Sequence, residues 1–393
     1  MARFKRLAAK YLLPSLAFAA ATATQAADPG LTDTTVRIGQ FGALTGPGYF
    51  TGKLVIDGAD IVYKEVNKAG GINGRKIETV REDDRCDPAT AIGAAKKLIF
   101  DHKVFVIHGG GCSNASIGAY PEIKDSKAPW VIFASVADSL TLPTVPTIYT
   151  TALTAAIESA SQVAFAAEKG AKRIAVISTR DAWGRGRYDA VMAELKRKGI
   201  KPVADEEIIA EANDATPQAL RLQQANADAV IMLVFPKAAA AFLRDADKIG
   251  FAPLAIGQTA LGDLPVLAKQ VGSAAALQKM FAISHVRHMP DDKEMADWRK
   301  LFETYYPGET MSIYHLLGIG SAQVVVEALK RAGRDLTRDR FVQEMDKLTD
   351  FDTPVYPGPI TCTAADHQCH KHAAWVQLVN GRVATVATTT LSK

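Results

Sequence analysis

Residues 104–116 read Val-Phe-Val-Ile-His-Gly-Gly-Gly-Cys-Ser-Asn-Ala-Ser, an order of residue types that can hold an anion. Val104 to Ile107 is a short apolar run rich in β-branched residues and predicts a buried strand. Three glycines follow and let the backbone turn tightly. Ser113 or Asn114 is then the expected N-cap of a helix running to about Ser126. A strand, a glycine turn and a helix start together aim unpaired N–H groups and the positive end of a helix dipole at one spot, which suits a carboxylate or a phosphate. Many α/β proteins carry such turns and bind nothing there, so this segment alone leaves a purely structural reading open.

The elements that must position this turn follow from hydrophobic periodicity. Strands are expected at Thr35–Phe41, Lys76–Arg81, Val104–Ile107 and Trp130–Ala134, with an extended run at Ile148–Ala152. Helices fall between them; the one after Asp87 has Pro88 at its first position. A second series has helices Thr154–Lys169, Trp183–Lys198, Thr216–Ala225 and Lys237–Ile249. Its strands are Arg173–Ser178, Pro202–Ile209, Ala229–Phe235 and Pro253–Gly257. Such alternation predicts parallel sheets covered on both faces. The tail has an extended run at Met280–Val286 and helices Asp291–Tyr306, Ser312–Ala332 and Arg338–Leu348. Strands near Pro359–Cys362 and Ala373–Val379 close it. This tail is too irregular for a third lobe and must add to the first two. The expected fold is α/β, two doubly wound parallel-sheet lobes joined by a multi-crossover hinge, with a ligand cleft between them. Lobe 1 is assigned 33–152 plus 283–370, and lobe 2 is assigned 153–282 plus 371–390.

At 393 residues the chain has room for both lobes. Arg3, Lys5, Arg6 and Lys10, the apolar run Tyr11–Ala23 and small residues around Ala26 and Ala27 predict a signal peptide over 1–26, cleaved near Ala26 or Ala27. The apolar run is short for a membrane span and contains Pro14, and no cysteine near the cut offers a lipid anchor. The formal net charge is +4, and four basic but no acidic residues lie in 1–26, so the remainder is near neutral. Nothing in that balance favours nucleic acid. An exported chain with four cysteines predicts two disulfides. Three pairings are formally possible; proximity favours Cys86–Cys112 and Cys362–Cys369. A metal site built from Cys362, Cys369, His367, His370 and His372 is the rival for the second pair, and no metal is expected.

Several motifs, taken together, resemble those of the leucine/isoleucine/valine-type periplasmic binding proteins of ABC transporters. They are Gly70-Gly-Ile-Asn-Gly-Arg-Lys-Ile77, Asp83-Asp84-Arg-Cys86-Asp-Pro88 and Gly111-Cys112-Ser113, with Leu44-Thr-Gly-Pro47 and Trp183-Gly184-Arg-Gly186 at the positions of ligand-side loops. The resemblance spans nearly all of the chain after the leader and implies the type I periplasmic-binding fold. It also implies a bridge between Cys86 and Cys112, and a ligand carboxylate held by the Ser113 hydroxyl and backbone N–H.

Departures occur at the other end of the ligand. Members that bind α-amino acids carry a threonine or serine after the fourth strand; here Ala134-Ser135-Val136-Ala137-Asp138 places Ala137 at the hydroxyl position. They also carry a glutamate in the second lobe, where this chain has Thr259. Trp183 and Phe235 replace tyrosines. A buried ammonium without a counter-charge costs several kcal/mol or more, so the expected ligand is a carboxylate lacking an α-amino group, aromatic or branched aliphatic. Trp183 and Phe235, with Tyr49 and Phe50, would supply its apolar wall. The expected binding set is thus Ser113, Asn114, Cys112, Ser135, Ala137, Trp183, Phe235, Thr259, Tyr49 and Phe50. Asp138 could still replace the missing acid, which keeps an amino acid open. Trp183 and Phe235 could instead be core residues. Asp83 and Asp84 read as loop-capping residues, and His285, Arg287 and His288 as a basic cluster facing solvent. Tyr314 lies near a family position that closes the pocket.

No nucleophile elbow, phosphate loop or zinc-helix motif is present, so neither catalysis nor a cofactor is expected. The resemblance implies a periplasmic monomer that hands a small carboxylate solute to permease subunits in the inner membrane. A periplasmic sensor passing its signal to a membrane receptor is the alternative.

Overall fold

The computed structural model describes residues 28–390 apart from residues 47 and 274, and at 182 the backbone only. The expected leader and its cleavage site lie outside the described residues. The first βα series is β1 (Thr35–Gly42), α1 (Lys53–Lys68), β2 (Lys76–Asp83), α2 (Pro88–Lys96), β3 (Val106–Gly109), α3 (Ser113–Ser126), β4 (Trp130–Ile132) and β5 (Ile148–Thr150). These five strands form one all-parallel sheet in the order β2-β1-β3-β4-β5. All of β3 and β4 is buried, as parallel strands with helices on both faces must be. Asp87 caps α2 by accepting the Thr90 N–H at 2.8 Å, ahead of Pro88 at the first helical position.

The chain then crosses to α4 (Ala155–Glu168), β6 (Ile174–Thr179), α5 (Ala182–Arg197), β7 (Ala204–Ile208), α6 (Thr216–Gln224), β8 (Ala229–Leu233), α7 (Pro236–Lys248), β9 (Leu254–Gly257), α8 (Leu264–Val271) and β10 (Met280–Ser284). It returns through α9 (Ala296–Tyr305), α10 (Ile313–Ala332) and α11 (Arg338–Asp346) before ending in β11 (His372–Val379) and β12 (Arg382–Thr390). The second sheet runs β12-β11-β10-β9-β8-β6-β7, antiparallel only at β10/β11 and β11/β12. Helix α10 belongs with the first sheet: a Cβ on Gly58 of α1 would lie 2.0 Å from the His315 carbonyl oxygen, and one on Gly318 of α10 would lie 1.9 Å from that of Val55. Glycine at both places is what lets the two backbones touch.

Three passages join the sheets: after β5, after β10 and before β11. The sequence missed α8 and β12, and it expected a strand at Pro359–Cys362 that is only a single bridge between Phe351 and Ile360. β12 escaped notice because nearly all of it is exposed or half-buried, so it lacks the buried alternation that marks a strand. Among the described residues no helix is long and apolar enough to cross a membrane.

Candidate functional site

Between the sheets lies a cleft of about 1610 Å³, larger than a typical small-ligand pocket. On the first-sheet side it is built around the start of α3. The buried strand β3 ends at Gly109, and Gly110 takes φ +98°, a turn open to glycine. A Cβ on Gly111 would fall 2.4 Å from the Thr51 carbonyl oxygen. The helix starts one residue earlier than expected: Cys112, in extended conformation, is the N-cap, and Ser113 is the first helical residue. The first α-helical bond runs from the Ser116 N–H to the Cys112 carbonyl at 2.9 Å. The amides of Ser113, Asn114 and Ala115 precede it, so their own helix offers them no acceptor. Ser113 is buried and its hydroxyl accepts one from Ser135 at 3.4 Å. The buried Asn114 Oδ1 has no partner among the described residues.

Cys86 and Cys112 are joined as a disulfide, tying this helix start to the loop after β2. In that loop Asp83 accepts the Leu44 N–H at 2.9 Å and the Thr45 hydroxyl at 2.6 Å, and so fixes the neighbouring Leu44 loop. Tyr49 is half exposed at the cleft rim, while the Phe50 ring packs 5.1 Å from that of Tyr314. Ser135 and Ala137 do not border the cleft; Ala134 and Val136 do. Asp138 is also turned away, accepting the Ala156 N–H at the start of α4 and the Gln368 amide, both at 2.9 Å. It is therefore not the replacement acid that the sequence left open.

On the second-sheet side, Asp181 caps α5 by accepting the Gly184 N–H at 2.7 Å. This sets Trp183 at the helix start and Arg187 one turn later, on the same face. The rings of Trp183 and Phe235 stack with centroids 4.2 Å apart, and the Arg187 guanidinium sits 4.0 Å from the Trp183 ring. Both aromatics border the cleft, but they lean on each other and on Arg187, leaving less free ring face than the sequence suggested. Arg187 is 2 % exposed and pairs with Glu158 of α4, which is 1 % exposed, at 3.0 Å. Burial raises the Glu158 pKa against the pull of Arg187 and Thr259, and burial lowers that of Arg187. Thr259 borders the cleft and donates its hydroxyl to Glu158 within the wall. Arg187 Nη1 is buried without a partner among the described residues, as is His285 Nδ1. Both side chains border the cleft. Burial, with the Arg187 charge added, holds the His285 imidazole at a pKa of about 3, hence neutral.

Sequence reasoning missed Glu158 and Arg187 and read His285 as a solvent-facing polar residue, although it is buried. A faint signal existed in the Trp183-to-Arg187 spacing of one helical turn and in an acid within the small, apolar α4.

Asp57, Glu309 and His315 offer atoms within 4.8 Å of one another, as a metal would need. Asp57 is already paired with Lys53 at 2.6 Å and Arg81 at 2.8 Å. His315 Nδ1 accepts the Ser312 N–H at 2.9 Å, which in a neutral imidazole leaves the proton on Nε2 and no second lone pair. The group does not fit a metal. Cys362 and Cys369 are joined as a disulfide, and His367 binds the Ile148 carbonyl at 2.9 Å and Asp346 at 3.1 Å. These bonds occupy Cys362, Cys369 and His367 of the rival metal site, and His372 Nδ1 meets the Thr390 hydroxyl at 3.0 Å, while both ring nitrogens of the buried His370 have no partner among the described residues.

The sequence profile of the periplasmic binding protein family matches residues 35–382. A leucine-, isoleucine-, valine-, threonine- and alanine-binding protein of Pseudomonas aeruginosa is 25% identical over 325 residues, 81% of this chain and 84% of that one. Among solved structures, a branched-chain amino acid ABC transporter protein from Thermus thermophilus with bound valine superposes with a TM-score of 0.82 at 19% identity, covering 92% of this chain and 98% of that one. A solute-binding protein of R. palustris in complex with 4-hydroxybenzoate gives 0.76 at 18% identity, covering 91% and 97%. With its two mostly parallel sheets and the cleft between them, the chain belongs to the periplasmic binding protein family, as the substrate-binding component of an ABC transporter of the leucine/isoleucine/valine type.

Proposed function

We propose that this protein captures a small carboxylate-bearing solute without an α-amino group, between lobes 33–152 plus 283–370 and 153–282 plus 371–390, and delivers it as a monomer to the permease. The carboxylate would lie at the start of α3, against the Ser113 hydroxyl and the free amides of that helix turn. Closure of the lobes would bury it, and the permease would read the closed form. One observation carries the choice of ligand: in the second wall, where an ammonium would need a free acid, the cleft meets the Arg187 guanidinium, while Glu158 is already paired with it. An ammonium there would face a cation. The R. palustris protein, of similar fold and in complex with 4-hydroxybenzoate, supports the reading.

Calorimetry with leucine, phenylalanine, benzoate and a hydroxycinnamate tests it. Binding of the aryl acids with no response to leucine is expected; tight leucine binding without aryl-acid binding would overturn the reading.

The amino-acid alternative rests on Asp263, which borders the cleft and whose carboxyl is raised by burial. If that acid received an ammonium, Asp263→Asn would abolish leucine binding.

A further inference from the structure

The second wall of the cleft holds two buried nitrogens that the carboxylate site does not use. Arg187 donates Nε to Glu158 at 3.1 Å and keeps Nη2 3.0 Å from the same carboxylate oxygen, and its Nη1 has no acceptor among the described residues. His285 follows β10 in the second passage between the sheets, and its Nδ1 is likewise unpartnered at 5 % exposure. Both residues border the cleft, and they are close enough for the guanidinium charge to act on the imidazole. A buried donor left without an acceptor is costly, so such a pair marks a place where a polar group is received.

The two nitrogens differ in kind. Nη1 can only donate. Nδ1 of a neutral histidine can accept, with the ring proton on Nε2. We propose that the ligand carries, at the end remote from its carboxylate, a hydroxyl group that accepts from Arg187 Nη1 and donates to His285 Nδ1. This rests on the carboxylate reading of the α3 site given above. A second carboxylate in that place fits worse: it would be buried near Glu158 beside a neutral imidazole, and the nearby guanidinium is already paired. A plain hydrocarbon end would leave both nitrogens unsatisfied. Trp183, with Arg187 against its ring, belongs to the same wall, so a flat spacer between carboxylate and hydroxyl suits the site.

The test is calorimetry on the exported protein with benzoate and cinnamate, their 4-hydroxy derivatives, and terephthalate as the dicarboxylate. Each 4-hydroxy acid should bind at least about tenfold more tightly than its parent, because the hydroxyl bonds a charged donor in a desolvated site. Terephthalate should bind more weakly than 4-hydroxybenzoate. In His285→Phe, which removes a group with no bond at Nδ1 and so spares the Arg187–Glu158 pair, the ratio of hydroxy to parent affinity should fall towards one. Arg187→Gln should lower the same ratio if it folds. Parent acids binding as well as their hydroxy forms, or a ratio unchanged in His285→Phe, would overturn this inference while leaving the carboxylate site standing. Failure of all five acids to bind would bring down both.

Discussion

Arg187 lies against the Trp183 ring, donates Nε to one oxygen of Glu158 at 3.1 Å and holds Nη2 3.0 Å from the same oxygen in the ion pair. One side chain thus joins an ion pair inside the wall to the aromatic surface of the cleft. Removing one partner of such a buried pair leaves the other charged and unsolvated, which costs about 3–5 kcal/mol. Arg187→Met should therefore destabilise the protein by about that much in urea unfolding. Glu158→Gln combined with Arg187→Met should cost clearly less than the sum of the two single changes. Simple additivity would mean that the pair is not coupled as its geometry indicates.

Ser113→Leu should abolish ligand binding and, because Ser113 is buried, cost about 1–3 kcal/mol in urea unfolding. Ser113→Ala keeps the backbone amides and should lose only about tenfold, the worth of one hydrogen bond to a charged group. Calorimetry on the two variants checks both. Full affinity in Ser113→Leu would move the carboxylate site away from the start of α3.

The bond between Cys86 and Cys112 closes a loop with a sequence separation of 26 residues. On loop entropy, Cys86→Ala with Cys112→Ala should lose roughly 3.5 kcal/mol. Because Cys112 is the N-cap of α3, ligand affinity should drop as well. The bond between Cys362 and Cys369 spans only 7 residues, so its removal should cost less, roughly 2.4 kcal/mol by the same relation, and should leave affinity unaltered. Equal losses of affinity from the two double variants would contradict the anchoring role given to Cys112.

Burial alone holds the His108 imidazole at a pKa of about 3, where Tyr63 and Ser321 bond its two nitrogens at 2.7 and 2.8 Å. An unfolded histidine titrates near 6.5. Between those values the unfolded chain binds the extra proton, so the contribution of His108 is complete above about pH 6.5 and is lost as pH falls towards 3. At pH 5 the loss is up to about 2 kcal/mol. Asp84 acts oppositely: burial raises it to about 6, so its contribution is present at low pH and is lost as pH rises from about 4 to 6. Acids of this kind are common to wild type and His108→Gln, so the difference between the two isolates His108. Unfolding free energies at pH 7.5, 6 and 5 should fall less steeply in the variant, by up to about 1.4 kcal/mol per pH unit below 6. Parallel slopes would show that His108 titrates in the fold as it does in the unfolded chain.

Much of this architecture could be read from local sequence. The alternation of apolar runs with amphipathic stretches marked β1 to β9 and their helices, because burial on both faces leaves a plain trace in a parallel strand. The glycine turn before Ser113 was legible for a related reason: a tight strand-to-helix turn accepts few residue types. The helix start was misplaced by one residue because Cys112 caps through its backbone without a side-chain bond.

The amino-acid sequence by itself thus indicated two doubly wound lobes and the glycine turn before Ser113, and among three possible cysteine pairings proximity favoured the one that the structure contains. Only the tertiary structure decided what faces that turn. Glu158 and Thr259, 101 residues apart, meet, and Glu158 pairs with Arg187, because α4, α5 and the segment after β9 pack together in the second lobe, with the Arg187 charge acting on His285 after β10. Turns, caps and strand periodicity act over a few neighbouring residues and leave marks in order. The pairing of a buried charge is set by distant segments that share one desolvated space, and no local pattern of residues records it.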